Sequence, residues 1–275
     1  MNDDARLFAL ASQLIQQPSV TPTPMQCLDI IEDFCTTLGW HSRRMDKGET
    51  ANLFITTTTR KHHHLLFGGH VDVVPPGDAS LWSLPPFSGE ILDDKLYGRG
   101  AVDMKSSIAA FLIALQDHGV ALSQNNAASV AMIITSDEEG DAVDGTAYVI
   151  DTLVKEGYRF DKALVGEPTS EHAVGDTIKT GRRGSLSATL KIHGTQSHVA
   201  YASHAVNPLF ALATFLQQAQ STTWDSGHAD FLATAFCPTS ALAGAGANNV
   251  TPSYVSCDFN FRFCPASTPN QRHSW

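Results

Sequence analysis

The chain has 275 residues, 43% of them hydrophobic and 17% charged, with a formal net charge of −10. That length and composition exclude a disordered chain and suit one large domain or two smaller ones with full cores. An acidic balance with no basic run argues against nucleic-acid binding, and no apolar stretch reaches the roughly 18–20 residues that span a bilayer. The start, MNDDARLFALASQ, lacks the basic region of a signal peptide, so the expected location is the cytoplasm.

Residues 3–17 and 26–38 place apolar side chains at three- and four-residue steps and predict two amphipathic helices, joined by a Pro-, Ser- and Thr-rich loop over 18–24. Cys27 and Cys35 fall in the second pattern and read as buried thiols. With Cys237, Cys257 and Cys264 they make five scattered cysteines without a C-x-x-C pair, which is neither a disulfide framework nor a thiolate zinc site. Residues 52–57 predict a strand. Three short apolar runs at 65–67, 129–135 and 162–165 read as buried strands, each breaking at its C-terminal end into Gly, Pro and acidic residues. His62, His63 and His64 precede the first run and read as a solvated edge. Helices are expected at 104–117, carrying Ile108, Phe111, Leu112 and Leu115, and at 145–156. Strand, helix, strand, helix, strand predicts an α/β domain with a mostly parallel twisted sheet flanked by helices.

The pattern changes near Gly181. Residues 185–193 alternate polar and apolar, 207–220 read as a helix, and 231–238 and 253–263 read as strands. This predicts a smaller α+β domain over 180–275 beside a first domain over 1–179. The ending CPASTPNQRHSW supplies no closing helix and strand, so the second domain reads as incomplete.

In open α/β sheets, ligands gather at the C-terminal ends of the strands. Here those ends carry His70 and Asp72, then Asp137, Glu138 and Glu139, then Glu167; Asp103 joins them from the Gly-rich turn GRGAVDMK. Each piece has an ordinary reading. His70 and Asp72 make a loop ion pair, Glu138–Glu139 a solvated turn, Asp103 a helix N-cap, Glu167 loop decoration. Together, so many carboxylates on one edge repel unless a cation neutralises them. Imidazole with carboxylates suits zinc or a similar divalent ion, and one Asp shared by two metals holds them about 3.5–4 Å apart. His198 reads as an exposed loop histidine, and His204, His228 and His273 carry no spacing signal.

GGHVDVVPPGD, LYGRGAVDMK, SDEEGD and VGEPTS, in this order, resemble the M20 family of dinuclear zinc hydrolases. VGDTIKTGRRGSLSATL, SHVAYASHAVNP, GANNVTP and FNFRF bring the chain nearer to the family's desuccinylase branch, and the resemblance covers nearly the whole sequence. It implies a zinc-peptidase-like catalytic domain with a smaller lid and dimerisation domain. It implies that His70 and Glu167 hold one zinc, Glu139 the other, and Asp103 both. Asp72 then sits behind His70 and accepts its ring N–H, and Glu138 is the general base. His198 matches a histidine that reaches over the partner subunit's site to stabilise the oxyanion. Arg182, Ser185, Asn248 and Arg262 match positions that contact substrate carboxylates and backbone, a task suited to an Arg fork. Arg182 with Arg183 otherwise reads as a surface pair at a hinge.

The implied cofactor is two Zn2+, with Co2+ as a substitute. The implied partners are a small-molecule substrate and a second copy of the chain, with no nucleic acid and no membrane. The implied reaction is hydrolysis of N-succinyl-LL-2,6-diaminopimelate to succinate and LL-2,6-diaminopimelate, in lysine biosynthesis. The alternatives are another M20 deacylase, such as an acetylornithine deacetylase or an aminoacylase, and a non-catalytic metal-binding relic. RRGS and SHVAY argue against the first, and an intact Glu138 against the second. Two departures stand out. Ala202 occupies a position where relatives carry Pro. Relatives also continue beyond FNFRF and bring the second zinc a histidine that NQRHSW does not match, so a shortened, poorly folding and feebly active chain is expected.

Overall fold

The structure is a computed structural model that describes residues 3–21, 25–124, 129–244 and 246–265. His273 and the chain ending lie outside the described residues. Two compact units divide at Asp176 and Thr177.

The first unit is layered. Helix α1 (Asp3–Ile15) buries Leu10, Ala11 and Leu14, and helix α2 (Met25–Thr37) buries Cys27, Leu28, Ile31 and Cys35, each along one face as the three- and four-residue spacing dictates. Strands β1 (His41–Arg44) and β2 (Asn52–Thr56) follow, then β3 (His62–His70) and the small hairpin of β4 (Ile91–Leu92) and β5 (Lys95–Leu96). Helix α3 (Ser106–Gln124) precedes β6 (Val130–Thr135), and helix α4 (Thr146–Lys155) precedes β7 (Arg159–Val165). The five-stranded sheet runs β1-β2-β6-β3-β7. Strand alternation sends Leu53, Ile55, Met132 and Ile134 towards α1, α2 and α3, and Phe54, Ala131 and Ile133 towards Val149 and Leu153 of α4.

Several details differ from the sequence reading. The sheet is mixed: β1 and β6 both pair antiparallel with β2, while β6 and β7 pair parallel with β3. The β1–β2 link is a tight turn closed by Lys47 and Thr50, too short for a parallel crossover. β7 was expected to be buried, yet it pairs only with β3 among the described strands, and its Leu164 and Val165 are exposed. Helix α3 begins at Ser106 rather than 104, because residues 101–105 form a separate turn.

KHHH is solvated as expected except at His63. His62 opens β3, so the pleat turns His62 and His64 outward and His63 into the core. His62 meets Asp161 at 2.8 Å, and His64 accepts the Ser129 amide at 3.0 Å. His63 is fully buried, stacked between the rings of Tyr158 and Phe160, and neither ring nitrogen has a well-formed hydrogen bond.

The second unit is a three-stranded antiparallel sheet, β8-β10-β9, with helix α5 (Pro208–Ser221) on one face. Its strands are β8 (Gly184–His193), β9 (Ala235–Ala243) and β10 (Tyr254–Phe263). Leu212, Val255 and Cys257 centre its core, with Ile192, Phe215 and Leu216 packed around them. The strand expected over 231–238 starts later, at Ala235, because His228 and Phe231 close a tight turn through reciprocal backbone hydrogen bonds. Pro238 cannot donate to the ladder, and a register shift opposite Asp258 and Phe259 accommodates it. Cys27, Cys35, Cys257 and Cys264 are buried and Cys237 is exposed. Among the described residues, no helix is long and apolar enough to cross a membrane.

Burial pushes the His63 pKa below its usual value of 6.5; the Arg60 backbone opposes it, and the neighbouring His62 and His64 add to the lowering. The unfolded chain therefore takes up a proton that the folded chain refuses, so stability from this residue is present above pH 6.5 and is lost as the pH falls below it. Urea midpoints measured between pH 7.5 and 5 should drop with acid in the parent chain. His63→Phe should flatten that slope, and an unchanged slope would show that His63 does not contribute to it.

Candidate metal centre

The parallel pairing of β3 with β6 and β7 sets the site. His70, the last residue of β3, lies opposite Thr135, the last of β6, and Gly68 lies opposite Val165, the last of β7. The segments leaving these strands therefore start at one edge of the sheet. They deliver Asp72, the turn with Glu138 and Glu139, and Glu167.

His70 is 1% exposed, and its Nε2 is the point of convergence. It stands 3.0 Å from Asp103 Oδ1, 3.3 Å from Glu167 Oε1 and 3.9 Å from Glu138 Oε2. Nδ1 lies 2.9 Å from the backbone carbonyl of Asp72 and 3.4 Å from its carboxylate. An N–H at Nδ1 donating to that carbonyl keeps Nε2 aimed at the carboxylates. The fully buried Asp72 carboxylate has a second task. It accepts the backbone N–H groups of Glu138, at 3.2 Å, and Glu139, at 3.0 Å. Asp137, grouped with its acidic neighbours in the sequence, braces the same turn by accepting the amides of Ala142 and Asp144 at 3.1 Å.

Asp103 arrives on the turn Ala101–Lys105, whose Asp103–Met104 peptide is cis. Lys105 anchors it. This lysine is fully buried, and its Nζ donates at 2.9 Å to the carbonyls of Leu14 and Gln17, at and just beyond the end of α1. A cation at the carbonyl end of a helix is favourably placed. Sequence reasoning missed Lys105, although a lysine opening an apolar helical run was the available signal.

Ligand atoms of His70, Glu138 and Glu167 lie within 4.8 Å of one another. Glu139 is not part of that trio; it lines a neighbouring cavity with Asp103. Burial opposes a charge on His70, yet the Asp72 and Glu167 carboxylates hold its pKa up to about 11. Burial raises the Glu138 carboxyl, and the charges of Glu167, Asp103 and Asp72 raise it further against the imidazole's pull. Glu139 is raised by burial and then by Asp103. A site that retains protons in this way is short of positive charge. Its imidazole and carboxylate donors, free of thiolate, fit a divalent cation that would displace those protons.

The remaining expected site residues lie in the second unit. Ser185 on β8 is the cross-strand partner of Arg262 on β10, and Ser185 Oγ accepts from Asn260 at 2.8 Å. Arg262, Arg182 and Asn248 are exposed. His198 forms a bridge with Val250; its Nδ1 accepts the Ala200 amide at 3.1 Å, and its Nε2 lies 3.3 Å from the Asn249 side chain.

Residues 66–269 match the model of peptidase family M20/M25/M40. A succinyl-diaminopimelate desuccinylase of Delftia acidovorans is 44% identical over 272 residues, covering 96% of this chain and 70% of its own length. One from Azoarcus sp. is 45% identical over 265 residues, with 96% and 69% covered. Among solved structures, the M20 metallo-carboxypeptidase Sso-CP2 of Sulfolobus solfataricus aligns with a TM-score of 0.77 at 18% identity, over 100% of this chain and 74% of that one. The Saccharomyces cerevisiae dipeptidase Dug1p aligns at 0.74 and 14% identity, over 98% and 72%. At such identities these structures report on the fold alone, but the family match and the 44% relatives reach further: the chain belongs to peptidase family M20/M25/M40.

Proposed function

We propose that this chain is a zinc-dependent amide hydrolase that cleaves N-succinyl-LL-2,6-diaminopimelate to succinate and LL-2,6-diaminopimelate in the cytoplasm. The observation that carries this reading is the convergence of Asp103, Glu138 and Glu167 on Nε2 of a buried histidine. The names of the 44% identical relatives support the substrate.

In this reading residues 1–179 form the catalytic domain and 180–275 the lid and dimerisation domain. His70 and Glu167 would hold one ion, Glu139 the other, and Asp103 would serve both, with Co2+ able to replace Zn2+. Bound there, such ions polarise an amide carbonyl and make water a better nucleophile. The chain's own groups do the rest. The Asp72 carbonyl fixes the ring of His70, and the Asp72 carboxylate fixes the turn of Glu138 and Glu139. Glu138, its side chain 54% exposed beside the buried imidazole, takes the proton of the attacking water and hands it to the leaving amine as the C–N bond breaks. Arg182, Ser185, Asn248 and Arg262 read the substrate's carboxylates and backbone. His198 is supplied by a second copy of the chain and stabilises the oxyanion.

A second reading has one observation in its favour: Glu138, not Glu139, belongs to the trio within 4.8 Å. Glu138 would then be the ligand and Glu139 the base. Paired variants separate the two. Glu138→Gln should keep its zinc and lose about 10²–10⁴-fold in kcat if Glu138 is the base. Tight zinc in Glu139→Gln, with zinc lost from Glu138→Gln, would reverse the assignment.

Metal uptake should also expel protons. With the His70 pKa held near 11, the imidazole is protonated at pH 7 before metal arrives. Zinc titrations in buffers of different ionisation enthalpy should show a proton released as the ion held by His70 binds, and His70→Ala should lose that release together with tight binding. For the substrate, side-by-side hydrolysis should favour the N-succinyl amide over N-acetylornithine. Equal rates would point to a broader deacylase.

A further inference from the structure

Arg99 has no place in the scheme above, yet the chain constrains it closely. Gly98 and Gly100 flank it with φ of 154° and 82°. A Cβ on Gly98 would collide with Ile15 Cγ2, and one on Gly100 would stand 2.7 Å from Val73 Cγ1, so neither position accepts a larger residue without displacement. The Arg99 amide donates to the Pro86 carbonyl at 2.7 Å. Its guanidinium carbon lies 5.1 Å from the ring centroid of Trp82, and that indole is held in turn by donation to the Pro76 carbonyl at 2.9 Å.

Despite this fixing, the cation has no acidic partner. Nε is buried without a hydrogen-bond partner, and among the described residues the guanidinium makes no ion pair. The cation–π contact with Trp82 uses none of the five N–H groups, which point outward in the guanidinium plane. A guanidinium in this state is complementary to a carboxylate, which it can take through two parallel hydrogen bonds.

The surroundings say where that carboxylate would come from. Arg99 lines a cavity of about 220 Å³ whose wall also includes Asp103 and Glu139, two of the residues assigned above to metal, and Val74 and Val102. The volume is below the roughly 300–1,000 Å³ of drug-sized sites and suits a small acyl group. The lining offers the group types such an acyl group needs: carboxylates for a metal that would meet its carbonyl, two valines for its methylenes, and the Arg99 cation for a second negative charge.

We propose that Arg99 binds the distal carboxylate of a dicarboxylic acyl group and so sets acyl specificity from within the first unit. This rests on the amide-hydrolase reading and adds to it a determinant that the second unit does not supply.

The test uses the zinc-loaded chain, with succinate and butyrate as probes in calorimetric titrations. Both acids have four carbons and one carboxylate for the metal, and only succinate has the second. The parent chain should bind succinate at least tenfold more tightly than butyrate. Arg99→Gln should lose that preference while keeping its butyrate affinity, zinc content and melting temperature. Arg99→Met keeps the stem on Trp82 and should behave in the same way, which guards against a folding defect in the first variant. Arg99→Lys, with charge but no fork, should retain part of the preference. A succinate preference that survives in Arg99→Gln and Arg99→Met, or none in the parent, would overturn the proposal while leaving the hydrolase reading intact. A parent chain that takes up no zinc would be seen before either acid is added. It would overturn the functional reading and this inference with it.

Discussion

The buried carboxylate of Asp72 is the contact on which the site depends. Its backbone carbonyl holds the ring of His70, while its side chain holds the amides of Glu138 and Glu139. One residue thus ties the segment leaving β3 to the segment leaving β6. Without that tie, two adjacent carboxylates on a turn would swing apart to escape Asp103 and Glu167. With it, burial first and mutual repulsion second appear as raised carboxyl pKa values rather than as movement. Charge is held in place until something positive arrives to neutralise it.

The fold supplies what this contact needs. Parallel register among β3, β6 and β7 brings three strand ends to one edge, and the helices on both faces keep β3 and β6 buried. The turn with Asp103 comes from a different place, the start of α3, and Lys105 fastens it to the end of α1. The N-terminal helix, distant in sequence from every acidic residue of the site, thereby sets the height at which Asp103 meets His70.

Much of this was legible in the sequence. Long runs with a clear period gave α1, α2, α4, α5 and β10 nearly to the residue, and the acidic clusters marked the strand ends. The gaps have physical causes. β1, with only four residues, HSRR, carries no apolar alternation, so nothing in it announces a strand. The apolar run of β7 reads as core, and only the pairing pattern shows it on an edge. His63 looks like any member of a basic triplet until the pleat turns it inward against Tyr158 and Phe160. The roles of Lys105 and Arg99 depend on what lies opposite them, which spacing along one chain does not encode. In the second unit, cross-strand pairing of Ser185 with Arg262 likewise needed the register of β8 and β10.

The cysteines of this chain divide its surface chemistry sharply. Burial pushes the Cys27 and Cys257 thiols upward and raises Cys35 to about 12, so little thiolate exists at these positions in the folded chain. Cys264 is buried as well, while Cys237 on β9 is open to solvent. An alkylating reagent therefore meets one accessible sulfur per folded chain and five per unfolded chain. The native protein carries a built-in single attachment point for a fluorophore or spin label, on the second unit and on a different domain from the proposed metal centre. The other four thiols serve as an internal clock that counts each opening of the two cores.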